Sequence, residues 1–364
     1  MLKLTPVALG LTIALAGCGD EGGTDGSSRS GWEDLSASKV QEVCGFDPDT
    51  LDGKLSGDAW IMVRGGQACF KNRVDNDGQD YVASIAKTFG AITFGMVNMD
   101  TDNGISPDDM ASDWIDRGYS GSDAKLYHIL SMSSHTRGLD RFSYDTVGTT
   151  QINDLSDALN KAIKEYDLAD GLDDYVHNTV MPRLGMENSR WSPGNDNKIF
   201  AFSLYSSVGD LARFGEMINK GGVFQGERYM TKEWTHRQTH PANEEANGGY
   251  GLLTWLNAPS WKDIAGTKRS PDLDCAPVVL RQDDFGADGV PKSGKKDVGV
   301  WLSRGVGGHF LIGHPGLDMV MAIKDYSGRP NNFWNAVLPA MVEASGLSER
   351  EFCNAYEDNE YEAK

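Results

Sequence analysis

The most informative segment of the sequence reads Tyr81-Val82-Ala83-Ser84-Ile85-Ala86-Lys87-Thr88-Phe89-Gly90. Within it, Ser84 and Lys87 are three positions apart, and residues at that spacing share one face of a helix, where their side chains can touch. An apolar run follows, with Phe89, Ala91, Ile92, Phe94, Met96 and Val97. This pattern is typical of a buried helix, and a lysine that is merely solvated seldom begins one. The segment therefore predicts a buried helix that starts with a serine beside a lysine.

A serine hydroxyl beside a lysine amine is a pattern for acyl transfer. The hydroxyl is a weak nucleophile until another group takes its proton, and an amine takes a proton only where burial or neighbouring cations lower its pKa. Ser-x-x-Lys is also a common spacing, and a helix-capping serine with a solvated lysine is the alternative interpretation. Ser84 is thus a candidate nucleophile, and further motifs elsewhere in the chain are needed to distinguish it from a capping serine.

The first residues have the pattern of a bacterial lipoprotein signal. Met1-Leu2-Lys3 precedes an apolar run from Leu4 to Ala16, which is too short to span a bilayer as a mature helix. The run ends in Leu15-Ala16-Gly17-Cys18, which resembles a lipobox, with a plain cleaved signal as the alternative. Lipidation of Cys18 would attach the protein to a membrane, and Gly19 after the cysteine favours the outer membrane, facing the periplasm or the surface.

The rest of the chain divides accordingly. We expect residues 1–17 to be the signal peptide, residues 18–31 to be a flexible tether and residues 32–364 to form one folded domain. The formal net charge of −19 argues against a nucleic-acid partner, because a phosphate backbone would be repelled.

Cysteine usage suits an oxidising compartment. Four cysteines follow Cys18, namely Cys44, Cys69, Cys275 and Cys353. They permit two disulfides in three connectivities, and their spacings do not match a zinc site. Because chain ends often lie close together, a Cys44–Cys353 bond is the first expectation.

Strand patterns occur near both ends of the chain. The runs 59–63 and 68–70 flank a glycine turn, and the runs 305–312 and 319–323 flank Pro315-Gly316. Helical periodicity dominates from about 152 to 190 and from 206 to 220, and a further helix is predicted over about 332–344. This order predicts one antiparallel sheet built from both ends of the domain, with a helical insert over about 96–245. The acidic turns over 100–123 do not have the ligand spacing of an EF-hand, so no metal is expected there.

Several segments, taken in order, resemble the serine β-lactamase-like superfamily, in the branch that holds class C β-lactamases, D-alanyl-D-alanine carboxypeptidases, esterases and 6-aminohexanoate-dimer hydrolase. Besides Ser84-x-x-Lys87 they are Ile129-Leu130-Ser131-Met132-Ser133-Ser134 with Gly138-Leu139, Pro182-Arg183-Leu184-Gly185-Met186, Leu204-Tyr205-Ser206-Ser207-Val208-Gly209-Asp210-Leu211-Ala212-Arg213-Phe214, and the tyrosine-glycine strand Gly249-Tyr250-Gly251-Leu252 with Trp255. The resemblance spans nearly all of residues 55–345. It implies an α+β fold in which an antiparallel β-sheet is flanked by helices and carries a mostly helical inserted lobe, with the active site between the lobes.

The second motif of that superfamily is tyrosine-x-asparagine or tyrosine-x-serine. Its best candidate here is Tyr144-Asp145-Thr146, sixty residues after Ser84. The resemblance implies that the Tyr144 hydroxyl is hydrogen-bonded to Ser84 and Lys87 and helps to move the proton. Whether Lys87 or Tyr144 is the base stays open, and packing of Tyr144 against Phe142 is the structural alternative.

The third motif is lysine-threonine-glycine on the strand that edges the site. Lys292-Ser293-Gly294 has the right letters but no strand pattern after it, whereas Ser303-Arg304-Gly305-Val306 leads directly into the C-terminal strand pair. Ser303 or Arg304 therefore stands where the lysine or threonine is expected, which points away from penicillins. The backbone N–H groups of Ser84 and Val306 are the predicted oxyanion hole, a feature worth about 3 kcal/mol per donor.

Three further side chains are candidates for substrate binding, namely Tyr205, Arg304 and His309. His309 and His314 are five apart on a predicted strand and so lie on opposite faces, which excludes them as a pair of metal ligands. The sequence lacks a Gly-x-Ser-x-Gly segment for a Ser-His-Asp triad.

Together these patterns predict a serine hydrolase that cleaves an ester or amide bond of a small molecule through an acyl-enzyme at Ser84, with no cofactor. A D,D-carboxypeptidase or β-lactamase is the alternative enzyme. A lipoprotein of the same fold that binds without catalysis is the alternative from another class, since the second and third motifs depart from the family pattern.

Overall fold

The structure is a computed structural model that describes residues 32, 35–45, 59–74, 77–116, 118–134, 139–144, 146–192, 200–256, 301–325 and 348. The predicted signal and tether, Cys275, Lys292-Ser293-Gly294, the predicted helix over 332–344 and Cys353 lie outside the described residues. No helix in the described part combines the length and the apolar character needed to cross a membrane.

The strands are β1 Ala59–Arg64, β2 Gln67–Asn72, β3 Asp80–Tyr81, β4 Ser189–Trp191, β5 Leu204–Ser206, β6 Val223–Phe224, β7 Glu227–Arg228, β8 Trp255–Leu256, β9 Trp301–Gly305, β10 His309–His314 and β11 Met319–Lys324. The α-helices are α1 Ala37–Lys39, α2 Ile85–Asp100, α3 Ala111–Trp114, α4 Leu126–Leu130, α5 Thr146–Gln151, α6 Leu155–Glu165, α7 Leu172–Tyr175, α8 Met181–Arg183, α9 Val208–Asn219, α10 Lys232–Thr239 and α11 Glu244–Asn247. Single turns of other helix types cover Val40–Cys44, Ile152–Asp154, Val176–Val180 and Pro315–Leu317.

The main sheet is antiparallel and draws its strands from both ends of the domain. Its order is β2-β1-β11-β10-β9-β8, so the N-terminal hairpin lies directly beside the last strand. In the β1–β11 pair, Ala59 lies opposite Lys324 and Arg64 opposite Met319. The predicted α+β fold, with a sheet from both ends around a largely helical middle, is confirmed. Two smaller sheets, β3-β5-β4 and β6-β7, lie outside this layer.

The N-terminal hairpin has the turn that its glycines predict. Gly65 and Gly66 both have positive φ, at 57° and 80°, a conformation that glycine adopts without steric cost. The disulfide, however, corrects the sequence expectation, because Cys44 is bonded to Cys69 on β2. Cys44 is the last residue of a short helical segment that packs against this edge strand, a proximity that the position of a residue in the chain does not reveal.

The central helix α2 carries the predicted pair at its start. Fourteen consecutive residues, from Ile85 to Asn98, are buried. Gly90 and Gly95 allow close packing, since a Cβ on Gly90 would lie 2.4 Å from the Phe200 ring and one on Gly95 would lie 2.5 Å from Trp234 Nε1. The helix is therefore buried around its whole circumference, as the apolar run predicts.

The short sheet β3-β5-β4 is tied to the main sheet by a buried lysine at the end of β11. Lys324 is fully buried and its Nζ lies 2.7 Å from Asp77 Oδ1 and 2.8 Å from Asp80 Oδ2. The same ammonium donates to the carbonyl oxygens of Gly78 and Ser206, at 2.9 and 3.1 Å. This ion cluster fixes the segment that leads into Ser84.

The tyrosine-glycine segment is a turn rather than the strand that its resemblance implies. Gly251 N donates to Thr254 O at 2.9 Å, and the strand begins only at Trp255. The reason is steric, since a Cβ on Gly251 would lie 2.1 Å from Gln238 O. The chain bends here to pass close to the end of α10.

Candidate active site

Ser84 lies at a sharp bend between β3 and α2. Ala83 before it has φ 48°, an uncommon value for a residue with a Cβ, and Ser84 itself is only partly buried. The bend is fixed on its N-terminal side because Val82 N donates to Leu204 O on β5 at 3.0 Å. The serine side chain is thus presented at the helix start, where a small molecule can reach it.

Ser84 and Lys87 are in direct contact. Lys87 Nζ donates to Ser84 Oγ at 2.8 Å and to the backbone oxygen of Ala201 at 2.8 Å. Lys87 is only 2% exposed, and among the described residues no carboxylate forms an ion pair with it. The amine is thus within hydrogen-bond reach of the serine hydroxyl and is oriented by a backbone carbonyl, which is the geometry required of a base beside a nucleophile.

Tyr144 lies over Lys87, but in a different geometry from the predicted one. Lys87 Nζ lies 4.9 Å from the centroid of the Tyr144 ring, and no hydrogen bond joins the tyrosine hydroxyl to Ser84 or Lys87 within the described part of the chain. The ring is held by aromatic neighbours, with Trp255 at 5.2 Å and Tyr250 at 6.3 Å between centroids. The structure brings Tyr144 to the pair and leaves its part in proton transfer a prediction.

The loop that carries Tyr144 is braced by the serine-rich turn after α4. Ser143 N donates to Met132 O at 2.9 Å, and Ser133 Oγ lies 2.8 Å from Ser131 Oγ. Asn243 Nδ2 donates to Ser133 Oγ at 3.0 Å from another part of the chain. The segment singled out by its serines therefore positions the tyrosine rather than contacting the nucleophile.

Strand β9 passes very close to the nucleophile bend. A Cβ on Gly305 would lie 2.3 Å from Val82 O, so only glycine allows the two backbones to approach so closely. Val306, the next residue and a predicted oxyanion donor, is 81% exposed. On the same face as Gly305, Ser303 Oγ is buried and lies 2.8 Å from Thr88 Oγ1 of α2. The strand and the helix start thus pack directly against each other beside Ser84.

Arg304 occupies the opposite face of β9 from Ser303 and Gly305, because side chains alternate along a strand. It is half-buried, and burial lowers the pKa of its guanidinium, whereas the neighbouring Tyr144 opposes that shift. Arg304 is therefore close enough to Tyr144 to interact with it electrostatically. The substrate-binding role of Arg304 was predicted from its position in the candidate third motif and remains a prediction.

The other predicted substrate residues lie away from the Ser84–Lys87 contact. His309 is buried, its Nδ1 accepts from Asp325 N at 3.4 Å, and burial lowers its pKa. The Tyr205 ring lies 5.6 Å from the Tyr81 ring, centroid to centroid, in a tilted arrangement, and lies under the Arg190 guanidinium at 3.9 Å. Neither contacts the pair in the described structure, so their substrate-binding roles remain predictions.

The Ala201 carbonyl is the site contact that the sequence could not indicate. A backbone oxygen leaves no trace in a pattern of side chains, and Ala201 is 114 residues from Lys87. Among the described residues, no group of three or more His, Cys, Asp or Glu side chains is arranged to hold a metal ion.

No family model matches the chain, and no curated protein matches it. Solved structures do match. A candidate β-lactamase from Bacteroides dorei superposes with a TM-score of 0.56 at 16% identity, covering 82% of this chain and 96% of that one. A β-lactamase from Mycobacterium bovis gives 0.54 at 15%, covering 86% and 100%. A candidate 6-aminohexanoate-dimer hydrolase from Bacillus anthracis gives 0.53 at 13%, covering 82% and 80%.

These similarities identify the fold. The chain has the serine β-lactamase-like fold over most of its length, as the ordered sequence segments predict. At identities this low, the shared fold does not establish the reaction or the substrate.

Proposed function

We propose that the protein is a serine hydrolase that cleaves an ester or amide bond through an acyl-enzyme at Ser84. The observation that carries the proposal is the 2.8 Å contact between Ser84 Oγ and the buried Lys87 Nζ at the start of α2. A nucleophile within hydrogen-bond reach of a base that another group orients is the requirement for such chemistry. Here the orienting group is the Ala201 carbonyl.

The steps follow from the atoms in contact. Ser84 Oγ attacks the substrate carbonyl carbon while its proton passes to Lys87 in its neutral amine form or to Tyr144 in its phenolate form. The tetrahedral intermediate collapses when the leaving group takes that proton, and the acyl group stays on Ser84. Water then attacks the acyl carbonyl with the same groups acting as base, and the acid product leaves with Ser84 restored. The step uses no cofactor.

The oxyanion of each intermediate needs two donors. The Ser84 N–H and the Val306 N–H are our candidates, because the close approach of Gly305 to Val82 brings β9 against the helix start. Each such donor is worth about 3 kcal/mol in transition-state stabilisation.

Acylation of Ser84 tests the proposal directly. We expect a fluorophosphonate to add one equivalent to the intact wild-type protein by mass spectrometry, and no adduct on Ser84→Ala. Ser38→Ala, which removes an exposed serine, is the matched control and should label like wild type. An unlabelled wild-type protein would favour the non-catalytic binding lipoprotein, and labelling that persists in Ser84→Ala would show that the nucleophile is another residue.

The enzyme classes are separated by their substrates. We expect turnover of 4-nitrophenyl esters without nitrocefin hydrolysis, because Arg304 and Ser303 stand where the lysine and threonine of penicillin-acting relatives are expected. Nitrocefin turnover in wild type that disappears in Ser84→Ala would instead assign a β-lactamase.

We further propose that the protein is a lipoprotein attached to the outer membrane through Cys18. The support is the lipobox-like Leu15-Ala16-Gly17-Cys18 and the glycine that follows it. Labelled palmitate should be incorporated into the full chain in cells and not into Cys18→Ser, with Cys275→Ser as the matched control. Equal labelling of both variants would contradict this attachment.

A further inference from the structure

The turn between β9 and β10 carries a predicted oxyanion donor, but its own side chains do not hold it in place. It consists of Gly305, Val306, Gly307 and Gly308, and the valine is 81% exposed. Gly307 and Gly308 have φ values of 104° and 86°, and glycine restrains the backbone less than any other residue. A donor stabilises the transition state only when it is held in position before the reaction begins. The Val306 N–H therefore needs support from outside the turn.

His309, the first residue of β10, packs against this turn. It is 6% exposed. A Cβ on Gly307 would lie 2.8 Å from His309 Nε2 and 3.4 Å from its Cδ2, so the turn backbone passes directly beside the imidazole. His309 is paired with Gly305, and paired residues share a face of the sheet. On that face Gly305 meets the carbonyl oxygen of Val82. The ring therefore lies on the nucleophile side of the sheet.

The other edge of the ring contacts the end of β11. His309 Nδ1 accepts from Asp325 N at 3.4 Å. Asp325 follows Lys324, whose ammonium contacts the carboxylates of Asp77 and Asp80. The charges of Asp325, Lys324 and Asp80 all act on the imidazole, and burial lowers the pKa of His309. The neutral ring is thus favoured, and only a neutral ring has a lone pair with which Nδ1 can accept the Asp325 N–H.

We propose that His309 is a positioning residue, whose neutral imidazole holds the β9–β10 turn so that the Val306 N–H is directed at the substrate oxyanion. The inference rests on the proposed hydrolase function. His309 joins the turn to the end of β11, and the neighbouring Lys324 cluster fixes the segment that leads into Ser84. The Ser84 and Val306 N–H groups are therefore connected through one set of buried contacts. A ring buried against a turn supports the site from behind and does not itself bind substrate.

Variants of His309 test the inference through kcat. An oxyanion donor acts on the transition state more than on the bound substrate, so its misplacement lowers kcat and leaves KM nearly unchanged. We expect His309→Leu, which fills the space but accepts no hydrogen bond, to lower kcat for 4-nitrophenyl acetate by about 10-fold to 100-fold. His309→Asn has a side-chain oxygen that can accept from Asp325 N in place of Nδ1, and it should recover most of the lost kcat.

His309→Gln is a second test of the same contact. Its amide reaches the position of Nε2 rather than that of Nδ1, so we expect it to lose kcat as His309→Leu does. It replaces the leucine variant if that variant does not fold.

His314, at the other end of β10, supplies the matched control. It is also buried, and its Nδ1 accepts from Leu317 N at 3.3 Å, so His314→Leu removes the same kind of contact. The two histidines are five residues apart, which is about 17 Å along a strand. We expect His314→Leu to lower the free energy of unfolding in urea and to leave kcat nearly unchanged.

Several outcomes would overturn the inference. One is a wild-type kcat in His309→Leu, and another is an equal loss of kcat in His309→Leu and His314→Leu. A loss confined to KM would make His309 a substrate contact instead. An equal loss in His309→Leu and His309→Asn would show that the contact with Asp325 does not hold the turn.

The proposed function fails in a different way. If wild type did not react with a fluorophosphonate, the hydrolase proposal itself would be refuted. Labelling of Ser84 together with a wild-type kcat in His309→Leu would refute only the role of His309.

Discussion

Lys87 and Lys324 are both buried lysines, at 2% and 0% exposure, but their neighbours differ in charge. Lys324 contacts the carboxylates of Asp77 and Asp80 and joins two sheets. Lys87 contacts a serine hydroxyl, a backbone carbonyl and a tyrosine ring. Lys324 thus has the contacts of a structural ion pair. Lys87 has no ion-pair partner among the described residues and instead contacts the candidate nucleophile.

Replacement of Lys87 should give the largest effect, and on rate rather than on stability. We expect Lys87→Met to lower kcat/KM for a 4-nitrophenyl ester by about 100-fold to 10,000-fold, because the proton acceptor is lost. The free energy of unfolding in urea should change by about 1 kcal/mol or less, since methionine fills a similar volume and removes a buried amine. Near-wild-type turnover would show that Lys87 does not take part in the reaction.

Replacement of Lys324 should do the reverse. Lys324→Met leaves Asp77 buried without its cation, and loss of one partner of a buried ion pair costs about 3–5 kcal/mol. Urea unfolding followed by circular dichroism measures this cost. The stability loss should exceed that of Lys87→Met; equal losses in the two variants would show that Lys324 is not a structural charge.

A buried carboxylate beneath β4 extends the comparison to pH. Asp210 accepts from Ser189 Oγ at 2.8 Å and from Asn188 N at 2.7 Å, yet burial raises its pKa to about 6. Because the folded state then holds a proton that the unfolded state has released, this group makes the protein less stable as pH rises from about 4 to 6, by about 2 kcal/mol.

Asp210→Asn should remove that contribution. The variant's stability relative to wild type should increase from pH 4 to pH 6, measured by urea unfolding at each pH. A difference that stays constant across this range would contradict a raised pKa at Asp210.

The smallest effect is expected at the exposed partner of Lys324. Asp80 has a side chain that is 58% exposed, whereas that of Asp77 is 5% exposed. Asp80→Asn should therefore cost less than about 1 kcal/mol, as for solvent-exposed ion pairs, and Asp77→Asn should cost more. A larger loss of stability in Asp80→Asn than in Asp77→Asn would show that the exposed carboxylate contributes more to the ion cluster than the buried one.

Much of the fold was predictable because its signals are local. The Gly65-Gly66 turn, the buried helix after Ser84 and the two C-terminal strands each follow from adjacent residues. Their assembly into one sheet was predicted from the order of the patterns, with strands at both ends of the domain around a helical middle. The Cys44–Cys69 bond was not predictable, because four cysteines allow several pairings and only the packing of the N-terminal segment on β2 selects one.

The candidate site was likewise predictable only where its residues are related by local sequence patterns or by their order along the chain. The contact between Ser84 and Lys87 follows from helical spacing, and Tyr144 was placed by order along the chain. The Ala201 carbonyl and the ring-to-ammonium geometry of Tyr144 depend on tertiary contacts with residues far away in sequence. Such contacts have no short-range pattern.

The disulfide has a mechanical consequence. A pulling force on the N-terminal segment reaches Cys44 and passes through the covalent bond to Cys69 on β2, at one edge of the main sheet. Strand β9, beside the nucleophile, is four strands further across, which is about 19 Å at the usual spacing. Tension on the N-terminal segment is thus borne by the edge strand, so that the geometry at Ser84 is isolated from the load.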